Sequence, residues 1–179
     1  NDDYVFRFAK HEKASKSFET EIAILPKLQE KLAVPIPQFE FIGKQVSNNL
    51  LFVGSKLFKG EKLVKENLNP PLIEKIADFF KQLHSFDIET ARNLGVRERN
   101  YKAFFSNELK DAREHVYPVL ERMYPGEAQK IKDYIESIFE KYSNDEENFN
   151  YKPSLLHGDL EAEHIIYDPD RKDIAGIVD

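Results

Sequence analysis

"LLHGDLEAEHIIYD", residues 155 to 168, places His157, Gly158 and Asp159 in a row and His164 five positions beyond Asp159, just before a short apolar run. "DIAGIVD", residues 173 to 179, follows after the turn residues "PDRK". The two apolar segments read as strands joined by that turn. A carboxylate and an imidazole therefore precede a hairpin, and a second carboxylate, Asp179, closes it. An ordinary loop explains Asp159 taken singly, as a turn-capping residue. A lone His164 is more often a hydrogen-bonded structural histidine than a ligand. Asp179 alone is the first residue after a strand. The order of all three is what points to chemistry.

Phosphoryl transfer asks a protein to position phosphates, neutralise them with metal ions and a cation, and set a carboxylate beside the attacking hydroxyl. In kinases the carboxylate lies in a His-x-Asp loop, a metal ligand follows five residues on, and a second metal-binding Asp ends the next hairpin. His157-Gly158-Asp159, His164 and Asp179 stand in that order.

Upstream, "DYVFRFA" alternates as a strand, with Tyr4, Phe6 and Phe8 on one face and Val5, Arg7 and Ala9 on the other. A Lys-rich turn, "KHEKASKS", carries Lys10, His11, Lys13 and Lys16, and reads as a solvated basic turn. Phe18, Ile22, Leu25 and Leu28 then recur at helical spacing, with Ser17 placed to cap the helix. "VPIPQ" is an extended connector, and "FEFIGKQ" and "NLLFVGSKLF" are strands around a turn at residues 47–49.

From residue 70 the period becomes helical. Leu72, Ile73, Ile76, Phe79, Phe80 and Leu83 form one apolar face, entered through Pro70-Pro71. His84 after it reads as structural. Further helices are expected over 101–123 and 126–142, then a polar loop, then short strands at "SLLH", "HIIYD" and "DIAGIVD".

Fourteen Phe and eight Tyr supply enough apolar surface for a packed core, which excludes a disordered chain. A net charge of −6 argues against a nucleic-acid partner, which needs a clustered basic face. With no Cys, thiolate metal sites and disulfides are excluded. The apolar runs are too short for a membrane span.

The motif "LLHGDLEAEHIIYD…IAGIVD", with "YVFRFAKHEKASKSFETEIAILPKL" in front, resembles the aminoglycoside phosphotransferase family, and its aminoglycoside 2''-phosphotransferases in particular, where a His replaces the Asn of related enzymes. The resemblance implies an α+β, protein-kinase-like two-lobe fold: an antiparallel sheet plus helix over 1–58, and a mainly helical lobe with short catalytic-site strands over 59–179. It also implies that the phosphate loop precedes Asn1 and the acceptor site follows Asp179, so that the chain is a piece of a longer protein.

Position by position, the resemblance makes Asp159 the catalytic base, with His164 and Asp179 binding magnesium. Arg7 falls where nucleotide phosphates are touched, with Glu21 as its ion-pair partner and Glu19 as a rival. Ser55, Lys56, Leu57 and Phe58 form the linker that holds the purine. His157 braces the loop. Glu161 and Glu163 read as a solvated acidic loop. Implied with these are ATP or GTP as donor, an aminoglycoside hydroxyl as acceptor, and a cytoplasmic monomer without nucleic-acid or membrane partners. Two alternatives stay open: a kinase of another small molecule (macrolide, choline, fructosamine or homoserine), and a non-catalytic kinase-like binding module.

Overall fold

Strand β1 (Tyr4–Phe8) pairs antiparallel with β3 (Leu51–Lys56), which pairs on its other edge with β2 (Phe39–Lys44), giving the order β1-β3-β2. The computed structural model describes residues 3–178, and these divide into two compact units. One holds the residues up to Val96 and those from Ser154 onward; the other is Arg97–Pro153.

In the first unit, helix α1 (Glu12–Gln29) begins earlier than its apolar spacing predicts. The cap is His11, whose Nδ1 accepts from the Ala14 amide at 3.1 Å. Ser17 lies inside the helix and donates back to the Lys13 carbonyl. The polar stretch expected as a turn is thus helical, since an imidazole acceptor can satisfy an orphan amide as a hydroxyl would.

Helix α1 packs on the Arg7 face of the sheet. Ala9, Phe18 and Val53 are buried together there, with Ile22, Phe39 and Leu51 against them. The aromatic face of β1 is the open one: Phe6 is 46% and Phe8 56% exposed. Alternation identified the two faces, but the helix decides which of them is covered. Residues 45–50 turn the chain from β2 to β3, with Asn49 at φ 61° and Asn48 accepting from the Leu50 amide.

Helix α2 (Pro70–His84) starts at Asn69, whose side chain accepts from the Leu72 amide. Leu72, Phe79 and Leu83 are buried, each contributing about 2–3 kcal/mol. Ile73, expected on that face, is instead 53% exposed. It lies one residue from Leu72, a rotation of about 100° around the helix, and so leaves the core stripe. A short helix α3 (Ile88–Asn93), capped by Asp87, was not visible in the periodicity because it spans under two turns.

Strands β4 (Glu61–Lys62), β5 (Ile165–Asp168) and β6 (Asp173–Ile177) form the second antiparallel sheet in that order. Asp168 organises the β5–β6 turn, its side chain accepting from the amides of Asp170 and Arg171. Ile165, Tyr167, Ile174 and Ile177 join Ile24, Leu28, Leu72, Phe79 and Leu83 in one core. "SLLH" is not a strand. Leu155 enters that core as a single anchor, which satisfies its burial without a ladder partner.

The second unit is helical: α4 (Tyr101–Asp111), α5 (Tyr117–Met123) and α6 (Ala128–Asn144). The single helix expected over 101–123 is interrupted by a π turn over Ala112–Val116. Pro118 has no amide hydrogen to offer the carbonyl four residues back, and a widened turn accommodates its ring. Edge-to-face rings hold the unit together, Phe105 and Tyr142 with centroids 4.8 Å apart. Glu136 accepts from both Arg113 and Tyr117.

Candidate active site

The loop entering β5 is built around two residues. Gly158, at φ 90°, takes a left-handed conformation that few other residues tolerate, and this turns the chain between His157 and Asp159. Asp159 is exposed. Its backbone carbonyl oxygen lies 2.7 Å from Nδ1 of His164. The Glu161 amide lies 3.3 Å from the same nitrogen. A carbonyl can only accept, so the short contact requires a proton on Nδ1, and the Glu161 amide then faces that nitrogen without bonding to it. In the neutral ring the lone pair is therefore on Nε2.

A short 3₁₀ turn, Ala162–His164, carries the imidazole, and the His164 carbonyl accepts from the Val178 amide at 2.9 Å. The rings of His157 and His164 lie nearly parallel, 6.2 Å apart. Asp179, the expected second metal ligand, lies outside the described residues.

Lys62 stitches β4 to this turn, its Nζ 2.8 Å from Glu163. Lys62 holds the Glu163 carboxyl below its ordinary range, by hydrogen bond first and by charge second. Glu163 is thus partnered rather than merely solvated. The signal missing from the sequence was its partner, which lies 101 residues away.

On the sheet, Arg7 and Glu21 form an ion pair, half buried on both sides. The Arg7 guanidinium also lies 5.1 Å from the Phe18 ring centre and 5.6 Å from that of Phe39. Arg7 is thereby fixed in place, unlike the solvent-facing charge that its alternation would equally allow. Arg7 opposes Val53, and Val5 opposes Ser55, so Ser55 shares the Arg7 face and is buried. Lys56 opposes Tyr4 on the other face and pairs with Glu40 at 3.3 Å. The Leu57 amide donates to the Asp3 carbonyl, while the Phe58 ring packs against Gly176. The structure therefore joins the expected residues as two pairs, Arg7 with Glu21 and Asp159 with His164. The linker side chains diverge. Gly176, a lone glycine within a strand pattern, is a close-approach position that the sequence could have signalled.

The phosphotransferase enzyme family matches this chain over residues 1–179. The chain belongs to that family. Among solved structures, this phosphotransferase-family chain is 30% identical to APH(2'')-IIIa in its GDP and kanamycin complex, with a TM-score of 0.84 over 100% of this chain and 61% of that one. It therefore spans about three fifths of the length of that relative. Two more distant structures share the fold. One is APH(3'')-Id from Streptomyces rimosus with ADP and streptomycin, 20% identical, TM-score 0.56, covering 99% of this chain and 64% of that one. The other is the macrolide 2'-phosphotransferase MphH from Brachybacterium faecium, 18% identical, TM-score 0.62, covering 98% and 57%. The α+β kinase-like expectation holds. No helix among the described residues is long and apolar enough to cross a membrane.

Proposed function

We propose that the intact protein transfers the γ-phosphate of ATP or GTP to an aminoglycoside hydroxyl, the 2'' hydroxyl in particular, as a cytoplasmic monomer conferring antibiotic resistance. The observation that carries this reading is the contact between the Asp159 backbone carbonyl and His164, which holds an exposed Asp and an imidazole on one loop. Its likeness to a chain solved with both GDP and kanamycin supports the donor and acceptor classes.

In this reading residues 1–58 serve as the nucleotide lobe and linker, and residues 59–179 carry the catalytic loop. Asp159 orients the acceptor hydroxyl and takes its proton as the bond to phosphorus forms. Arg7, held by Glu21 and the rings of Phe18 and Phe39, offers fixed positive charge to the phosphates. Backbone groups of Ser55 to Phe58 seat the purine. His164 and Asp179 would hold magnesium, which supplies charge neutralisation at the phosphate oxygens. No cluster of three or more metal-ligating side chains occurs among the described residues. Magnesium keeps several waters and takes phosphate oxygens, so a few protein donors are enough to hold it.

The test is nucleoside diphosphate release by the intact protein, with ATP or GTP, in magnesium, with and without kanamycin or gentamicin. Stimulated release, lost in Asp159→Asn, is the expected result. Nucleotide binding without stimulation would point to another small-molecule acceptor, and no binding at all to a non-catalytic module.

A further inference from the structure

Phosphoryl transfer as set out above makes no use of the contacts between the linker and the β5–β6 hairpin. Phe58 packs so closely on β6 that a Cβ at Gly176 would lie 2.5 Å from its ring carbons, well inside the roughly 3.5–4.0 Å of a normal carbon contact. Two residues on, Gly60 backs onto the Tyr167 carbonyl, which a Cβ there would overlap. Glu61 and Lys62 then pair with Tyr167 and Ile166, and the Leu63 amide donates to the Ile165 carbonyl at 2.9 Å. Just past the end of β6, the Val178 amide is bonded to the His164 carbonyl.

An aromatic ring resting on bare backbone allows no closer approach, and the β4–β5 ladder prevents the segment from lifting away. The separation between linker and hairpin is therefore fixed from both directions. A nucleotide with its purine on the linker and its phosphates near His164 must span that separation. An error of about 1 Å in such positioning costs on the order of a hundredfold in rate.

We propose that the contact between Phe58 and Gly176 is a spacer that sets the height of the linker above β6, making both positioning residues for the nucleotide. This inference rests on the nucleotide reading of the linker. It also reassigns Phe58, whose ring serves the strand below it rather than the purine.

The test is GDP and ADP binding to the intact protein in magnesium, by calorimetry. Failure of the unsubstituted protein to bind either would overturn the linker reading itself. Given binding, Gly176→Ala is expected to raise Kd about tenfold, and adding Phe58→Leu to restore it to within about threefold, because a flexible leucine yields room to the new methyl. An unchanged Kd in Gly176→Ala overturns the spacer. So does further weakening in the double variant, the result expected if Phe58 touched the purine. Should Gly176→Ala alone fail to fold, the double variant is compared with Phe58→Leu. It must fold and bind within about threefold of that variant, and either failure overturns the proposal.

Discussion

Nδ1 of His164 lies 2.7 Å from the carbonyl oxygen of Asp159, so the residue assigned to the metal and the residue assigned to the proton are held by one bond. With a proton on Nδ1, the proposed reading gives Nε2 to the metal. Replacing the imidazole should therefore act on metal use. His164→Ala is expected to raise the magnesium concentration needed for half-maximal turnover by about 10- to 100-fold. His164→Asn, which returns a hard oxygen donor, should lose distinctly less. A magnesium titration of both variants decides, and equal losses would remove His164 from the metal site.

Asp159→Asn keeps the size and the backbone carbonyl while removing the proposed base. Nucleotide affinity should stay near that of the unsubstituted protein, and turnover should fall by about 10²- to 10⁴-fold. Retention of full rate would show that another group takes the proton.

Arg7 is held by an ion pair and by two aromatic faces, and the planar guanidinium suits both at once. Arg7→Lys keeps the charge but loses most of the stacking, and should cost about 1 kcal/mol of stability. Arg7→Ala also leaves Glu21 unpaired and should cost about 1–3 kcal/mol. Urea unfolding of the two variants would separate these contributions; an Arg7→Lys midpoint equal to that of the unsubstituted protein would mean that the rings contribute nothing.

Acid should loosen the β5–β6 hairpin through Asp173. A hydrogen bond from Lys75 holds the Asp173 carboxyl below its ordinary 3.8, against opposing desolvation. A carboxyl lowered on folding contributes stability that is full above its unfolded value and is lost as pH falls through the folded one. Asp173→Asn should therefore flatten the fall in stability below about pH 4 and leave its shape near neutrality unchanged. Unfolding midpoints from pH 7 downward would check this, and parallel curves would rule Asp173 out.

Much of the candidate site's local geometry was legible because its signals are local. The spacing of Asp159 and His164 and the turn before β6 all lie within a few residues of one another. Helix α2 and the paired strands likewise followed from periods of 3.6 and 2. The start of α1 was misjudged because an imidazole cap carries a weaker sequence signal than Ser17. The π turn before Pro118 was missed because periodicity continues across it.

By itself, the sequence determined most of the longer elements, their order, and the two faces of β1, since backbone geometry repeats those relations along the chain. Burial was decided elsewhere. The Arg7 face of β1 is covered because α1 lies on it, and nothing within β1 specifies that. The contacts Arg7–Glu21, Lys62–Glu163 and Phe58 on Gly176 likewise join separate segments. Only the tertiary structure could select those partners, because packing and charge pairing depend on which distant side chains the fold brings into contact.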